Sequence, residues 1–422
     1  MPLSRRTLLK SAAAGAVSTW TPAPGLSLFA AAAQPSERPL LVIVHLRGGA
    51  DGLNLVSPAT DSDFIAARTS ELRVAADGPG AGYALANGPD PKIDFRLHAA
   101  AGGIAELYQS GVLAIVHAAG LTDGTRSHFV ATDMIERGIA DEASLARIRD
   151  GWLARYLQID PAARAEAGAI SAAGAVSGEL VGWKPALAVP DLAGGLAPAG
   201  GPQAHEVLTR LYASAGDPVC DAGRAALAAM ATIDRAVPRD ARGAVIPYSP
   251  EAGASYDTAA EFGRPLKTLA QLIKMDLGLD VATVDIGGWD THEYQPGRFR
   301  NAVTRLSNGL AAFWNDTTRY HDRMVVVTVS EFGRRLRSNR SMGTDHGRAG
   351  VMMVLGAKVK GGRFHGGWPG LSNARLDEGV DLAVVTDYRQ VLTEILRHRG
   401  ALPASHVFPG YVEKGPLGLF GA

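Results

Sequence analysis

Five short apolar runs, each flanked by turn residues, punctuate the chain: 40–46 (LLVIVHL), 112–117 (VLAIVH), 281–286 (VATVDI), 324–329 (MVVVTV) and 351–355 (VMMVL). Their hydrophobicity is continuous rather than alternating, as strands buried on both faces of a parallel sheet require. Between the runs, apolar residues recur at spacings of three and four: Leu266, Leu269, Leu272 and Ile273; Phe299, Val303, Leu306, Leu310, Phe313 and Trp314; and Tyr388, Val391, Leu392, Ile395 and Leu396, closed by Gly400. Each set predicts a helix with one apolar face. Strand and helix in alternation predict an α/β fold, a doubly wound, largely parallel sheet with helices on both faces. Residues 151–262 read differently, rich in Ala and Gly and without a strand-like run. They predict a mostly helical insertion covering the sheet edge or a site, with 189–202 (VPDLAGGLAPAGGP) as a loop or linker.

The N-terminus adds a second feature. Ser4-Arg5-Arg6 precede Leu8, Leu9 and Lys10, then an Ala- and Gly-rich apolar stretch, then small residues to about Ala33. This is the pattern of an export signal, and the paired arginines resemble the twin-arginine leader, whose export machinery carries folded proteins. Pro22, Pro24 and Gly25 interrupt the stretch, which falls short of the ~20 apolar residues of a membrane span. Residues 1–33 are therefore read as a signal peptide and 34–422 as a single mature domain, periplasmic or secreted, with no stable span after processing. Removing the leader leaves 39 basic and 42 acidic residues, a net charge of about −3. That balance gives no support to nucleic acid as a partner. With Cys220 the only cysteine, no internal disulfide can form and any metal must be held by Asp, Glu and His.

In open α/β sheets ligands sit beyond the carboxyl ends of the strands, so the polar residues near each run are compared as a set. After the first run, "RGGADGLN" places Asp51 in a glycine-rich loop that suits either an ion or an ordinary Asp-Gly turn. After the second, "TDGTRSHF" places Thr125, Arg126, Ser127 and His128 at a helix start, where free backbone amides favour an oxyanion. Either hydroxyl there fits a nucleophile or a helix cap. The third run ends in "DIGGWDTHEYQ", with Asp285, Asp290 and His292 within eight residues, a donor set for a divalent transition metal. The fourth ends in "VSEFGRR", where Glu331 suits a ligand or an ion pair with Arg334 or Arg335. "GTDHGRAG" supplies Asp345, His346 and Arg348 before the fifth, and "GRFHGGWPG" supplies His365, a metal ligand or a loop histidine packed on Trp368.

The leader together with "HLRGGADGLN", "RSHF", "GGWDTH", "SEFGRR" and "GTDHGRAG" resembles the exported bacterial proteins grouped as domain of unknown function 1501, over essentially the whole mature chain. That family is distantly similar to the alkaline phosphatase superfamily, which includes sulfatases. The resemblance implies an alkaline-phosphatase-like fold and the superfamily's order of site residues: an Asp after the first strand, a hydroxyl nucleophile at a helix start, an Asp with a nearby His, an adjacent Asp-His pair and a final His. Asp51, Thr125 or Ser127, Asp290 with His292, Asp345-His346 and His365 stand in that order. Asp290 and His292 are two residues apart where the superfamily's spacing is usually four.

These expectations describe an exported metallohydrolase of phosphate or sulfate esters, carried by small molecules or polymers. Two divalent ions (Zn²⁺, Mn²⁺ or Ca²⁺), ~4 Å apart as two-metal sites require, would share six ligands. Asp290, His292 and His365 would hold one; Asp51, Asp345 and His346 the other. Thr125 or Ser127 would attack the ester centre, or water would. Arg126 or Arg348 would clamp the ester oxygens, with His128, Asp285 and Glu331 beside the ligands. The alternative is a non-catalytic exported binding protein that keeps a phosphatase-like fold around a degenerate or structural metal site.

Overall fold

The computed structural model describes residues 38–78, 80–160, 168–198, 200–400 and 403–421; the export-signal segment 1–33 lies outside them. Its strands, in chain order, are β1 (Leu40–Leu46), β2 (Val56–Pro58), β3 (Tyr83–Ala84), β4 (Phe95–Leu97), β5 (Leu113–Gly120), β6 (Gly168–Ser171), β7 (Leu187–Ala188), β8 (Leu279–Ile286), β9 (Met324–Val329), β10 (Arg334–Ser338), β11 (Thr344–His346), β12 (Gly350–Leu355), β13 (Phe364–His365) and β14 (Thr386–Asp387). The five apolar runs are β1, β5, β8, β9 and β12. Nine strands form one sheet in the order β13-β5-β12-β9-β1-β8-β6-β7, with β14 also pairing β5. Every pairing in it is parallel except those of β12, which runs antiparallel to both β5 and β9.

Burial on both sides explains the unbroken apolar runs. In β1, Leu40, Val42, Val44 and Leu46 enter one core with the helices Gly102–Gln109, Gly263–Lys274 and Gln295–Asp316. Leu41 and Ile43 enter another with His128–Arg137, Trp152–Ile159 and Tyr388–Arg399. The two-residue alternation of a strand thus feeds two apolar layers, and the fold is the doubly wound α/β sheet expected.

Residues 151–262 need a correction. Helices Trp152–Ile159, Gly201–Leu211 and Pro218–Ala236 are present, but β6 and β7 also lie here and extend the central sheet beyond β8. A run as short as GAIS or LA carries no periodicity; its strand character comes from pairing with β8, a tertiary effect.

Topology positions the site. β1, β5, β8 and β9 are mutually parallel in direction, so the loops that follow them emerge at one edge. β12 points the other way and starts at that edge. The ribbon β10–β11 that precedes it therefore brings Asp345 and His346 to the same place, with Arg334 paired opposite His346.

Candidate metal centre

Four side chains from one loop, one strand end and one helix start converge. Asp290 and His292 lie in the loop after β8, His346 closes β11, and His128 opens the helix His128–Arg137. His292 Nε2 and His346 Nε2 stand 2.8 Å apart. Asp290 Oδ1 is 3.2 Å from His292 Nε2 and 3.3 Å from His346 Nε2. His128 Nε2 is 3.6 Å from Asp290 Oδ2. His128, Asp290 and His346 each offer a donor atom within 4.8 Å of the others.

The second nitrogen of each ring determines what the first can do. His128 Nδ1 lies 2.8 Å from Glu331 Oε1, His292 Nδ1 lies 3.1 Å from Asp345 Oδ1, and His346 Nδ1 lies 2.9 Å from the Arg126 carbonyl. All three partners can accept a hydrogen bond, so each Nδ1 is placed to donate, the tautomer that leaves Nε2 with its lone pair for a cation. The buried Nε2 of His128 has no hydrogen-bond partner. Two bare imidazole nitrogens 2.8 Å apart repel each other unless a cation or a proton lies between them. Donor separations of 2.8, 3.2 and 3.3 Å among His292, His346 and Asp290, with His128 Nε2 at 3.6 Å from Asp290, are of the order set by a Zn²⁺-sized ion bonded at ~2.0–2.2 Å to imidazole and carboxylate.

Electrostatics favour the ionised carboxylates. Burial pushes the Asp290 carboxyl up, but the Arg334 guanidinium, donating from Nη2 to Oδ1 at 2.5 Å, and the neighbouring histidines outweigh it and hold Asp290 below its ordinary value. Burial likewise acts against Glu331, and His128 with the Gly48 and Gly49 amides overcomes it, leaving Glu331 depressed. Hydrogen bonds from Asn339 and His292 depress Asp345. The bond to Glu331 raises His128, whereas burial lowers His346. Gly48 is required here: its φ is +121°, and a Cβ would stand 2.5 Å from the Asp290 amide nitrogen.

The other expected site residues lie as follows. Asp51 is fully buried, with Arg68 donating to both of its oxygens at 2.5 and 3.0 Å and Gln295 adding a bond at 2.6 Å. Its carboxylate also caps Gly52–Leu55 through the Asn54 amide. A guanidinium thus occupies the place where the sequence suggested an ion. His365 is not brought to the cluster either: its ring nitrogens lie 3.0 and 2.9 Å from the carbonyls of Leu417 and Lys360. Asp345 stands behind His292 and orients it. Asp285 pairs with Arg47 at 3.1 Å. Glu331 pairs with His128 rather than with Arg334 or Arg335.

Both proposed guanidinium clamps are already paired. Arg126 is held by Asp381 and Glu378, and Arg348 by Asp377 and the Thr122 carbonyl. Thr125 Oγ1 accepts from the Ser127 amide at 3.3 Å, and Ser127 occupies the N-cap position without a side-chain capping bond. Among the described residues, neither hydroxyl bonds to the four-donor cluster.

Two residues acquire importance that the sequence did not signal. Arg334 is fully buried and donates to Gly48, Gly49, Thr344 and Trp289 carbonyls as well as to Asp290, tying three site loops together. Arg47 lines an open cleft of about 610 Å³ beside the cluster, with Gly48, His128, Phe129, Asp290 and Glu331. Its Nη2 meets Glu136 at 2.7 Å and Asp285 at 3.1 Å. "SEFGRR" and "HLRGG" contain both arginines, but a lone arginine in a loop carries no directional signal.

No curated protein matches the chain. Among solved structures, the chain is similar to the C-terminal periplasmic domain of EcEptC from Escherichia coli (9% identity over 91% of this chain and 90% of that one, TM-score 0.38). It is also similar to the PsFucS1 sulfatase from Pseudoalteromonas sp. (11% identity, 90% and 72% covered, TM-score 0.35). A third is the alkaline phosphatase from the Antarctic bacterium TAB5 (8% identity, 76% and 93% covered, TM-score 0.29). Residues 248–397, which contain "GGWDTH", "SEFGRR" and "GTDHGRAG" but not "HLRGGADGLN" or "RSHF", match the model of the family described as Protein of unknown function (DUF1501), and the resemblance read from those motifs holds over that stretch.

Proposed function

We propose that the chain is an exported metal-dependent hydrolase of phosphate or sulfate esters, built on one metal ion rather than two. The observation that carries this reading is the convergence of three imidazole Nε2 atoms on Asp290, each ring with its Nδ1 committed to an acceptor. The residues that would hold the ion are His128, His292, His346 and Asp290. A divalent ion held there supplies a Lewis acid and acidifies water near neutral pH.

The chain's own groups account for the rest. Arg68 supplies fixed positive charge on Asp51, the carboxylate expected to hold a second ion, and Arg334 does so beside Asp290. Arg47, which lines the cleft beside His128 and Asp290 while its Nη2 pairs with Glu136 and Asp285, takes the role of meeting the ester oxygens in place of Arg126 or Arg348. Because neither Thr125 nor Ser127 bonds to the cluster, water is the favoured nucleophile. The ester class rests on the motif resemblance, and export on the Arg5-Arg6 leader and its twin-arginine machinery. No helix among the described residues is long and apolar enough to cross a membrane.

The test is elemental analysis of the purified mature protein joined to assays on aryl phosphates, phosphodiesters and aryl sulfates with Zn²⁺, Mn²⁺ and Ca²⁺. The reading expects one ion per chain and turnover that disappears with His346→Ala. A second reading, a metal-holding binding protein, is favoured by the pairing of Arg126 and Arg348. Stoichiometric metal with no turnover of any ester would establish it instead.

A further inference from the structure

The cleft that opens onto the metal centre has an apolar wall. Phe129 follows His128 directly in the first turn of the helix His128–Arg137, and it is 88% exposed. Val130 and Leu145, both only partly buried, line the same cleft, as do the catalytic-side groups His128, Asp290 and Glu331. A single exposed phenylalanine is ordinary on a protein surface. One that shares a concave wall with two further apolar side chains, adjacent to a metal ligand, is a different matter, because the wall and the reacting centre are continuous.

Another cleft that also reaches Asp290 offers a contrast. A second open cleft, about 590 Å³, is lined by Glu261, Gly288, Arg298, Asn301, Thr304 and Arg305. Its charges are satisfied internally: Arg305 pairs with Glu261, and Arg298 with Glu293 at 3.0 Å. Among the described residues, no aromatic or large aliphatic side chain lines that cleft. The asymmetry places any apolar part of a ligand on the Phe129 side.

We infer that, given the hydrolase reading above, the substrate is an ester of an apolar, ring-sized alcohol, seated against Phe129, Val130 and Leu145 while its oxyanion meets the metal centre. Phe129 is then a specificity residue: its ring stacks on the alcohol portion, an offset or edge contact that aromatic pairs favour. The ligand supplies the apolar cover that the chain does not.

Equilibrium binding of phenylphosphonate and methylphosphonate to the Zn²⁺-loaded full chain tests this without needing turnover. The expected result is about tenfold tighter binding of the phenyl compound, the discrimination an apolar wall gives. Phe129→Ala should bring the two affinities to within about twofold, and Phe129→Leu should restore part of the difference. Phe129 is exposed, so these substitutions remove no core contact. Zn²⁺-dependent binding of both compounds with equal affinity overturns the apolar wall and leaves the hydrolase reading standing. A phenyl preference that survives Phe129→Ala also overturns it. Failure of both compounds to bind in a Zn²⁺-dependent way overturns the two readings together.

Discussion

On the proposed reading the acidic side chains divide residue by residue into one that would hold the ion, two that aim a histidine and one that is structural. Glu331 aims His128, and removing it leaves the His128 Nδ1 and the Gly48 amide without their acceptor. Glu331→Ala is expected to weaken Zn²⁺ binding about 10–100-fold, as loss of a ligand-orienting carboxylate does, and Glu331→Gln to recover part of it through its amide oxygen. Competition with a chromogenic chelator measures both. Asp51 is the structural one. Asp51→Ala strands a fully buried guanidinium at Arg68 and is expected to cost about 3–5 kcal/mol in urea unfolding, with the Zn²⁺ stoichiometry retained. Metal lost in an otherwise folded Asp51→Ala protein would return Asp51 to the ligand set. The difference between Asp51 and Asp290 was not legible in the sequence, because both sit in glycine-rich loops beyond strands. What separates them is that Asp51 is enclosed by Arg68 and Gln295 while Asp290 stands beside His128, His292 and His346, and only the fold brings those groups into place.

At the scale of elements, the strands were the legible part. β1 and β9 coincide with their apolar runs, and β5, β8 and β12 differ from theirs only at the ends. Strands buried on both faces state their role locally, in composition. β6 and β7 do not, since their strand character depends on a neighbour. The same edge holds a buried pair that joins strand to helix. His45 of β1 meets the fully buried Glu179 of the short helix Gly178–Leu180, next to Arg47 and Glu136. Burial acts against both charges, and their mutual attraction wins, so His45 is raised and Glu179 is lowered. The signs give a window. Glu179 contributes stability above its ordinary value of 4.5 and loses it as pH falls through its depressed one. His45 contributes fully below its ordinary value of 6.5 and loses it as pH rises through its raised one. The pair is therefore strongest between those ordinary values. His45→Gln should cost about 3–5 kcal/mol near pH 6 and progressively less in alkali, read from urea unfolding across pH. A cost independent of pH would contradict the charged pair.

At the scale of the whole molecule, a sheet with one antiparallel member explains how distant motifs meet. β12 reverses direction, so residues before it share an edge with residues after β5, β8 and β9. The motif order along the chain could suggest a common site, but not which donors reach one point. His128, expected beside the ligands, stands with Asp290 and His346; Asp51 and His365, expected as ligands, face Arg68 and backbone carbonyls. The central claim is a single ion held by three imidazoles and one carboxylate. An anomalous difference map from crystals of the Zn²⁺-loaded protein tests it most directly. One peak per chain is predicted, ~2.0–2.2 Å from Nε2 of His128, His292 and His346 and from a carboxylate oxygen of Asp290. A peak bonded to Asp51 or His365, two peaks in the cluster, or none at all would contradict it.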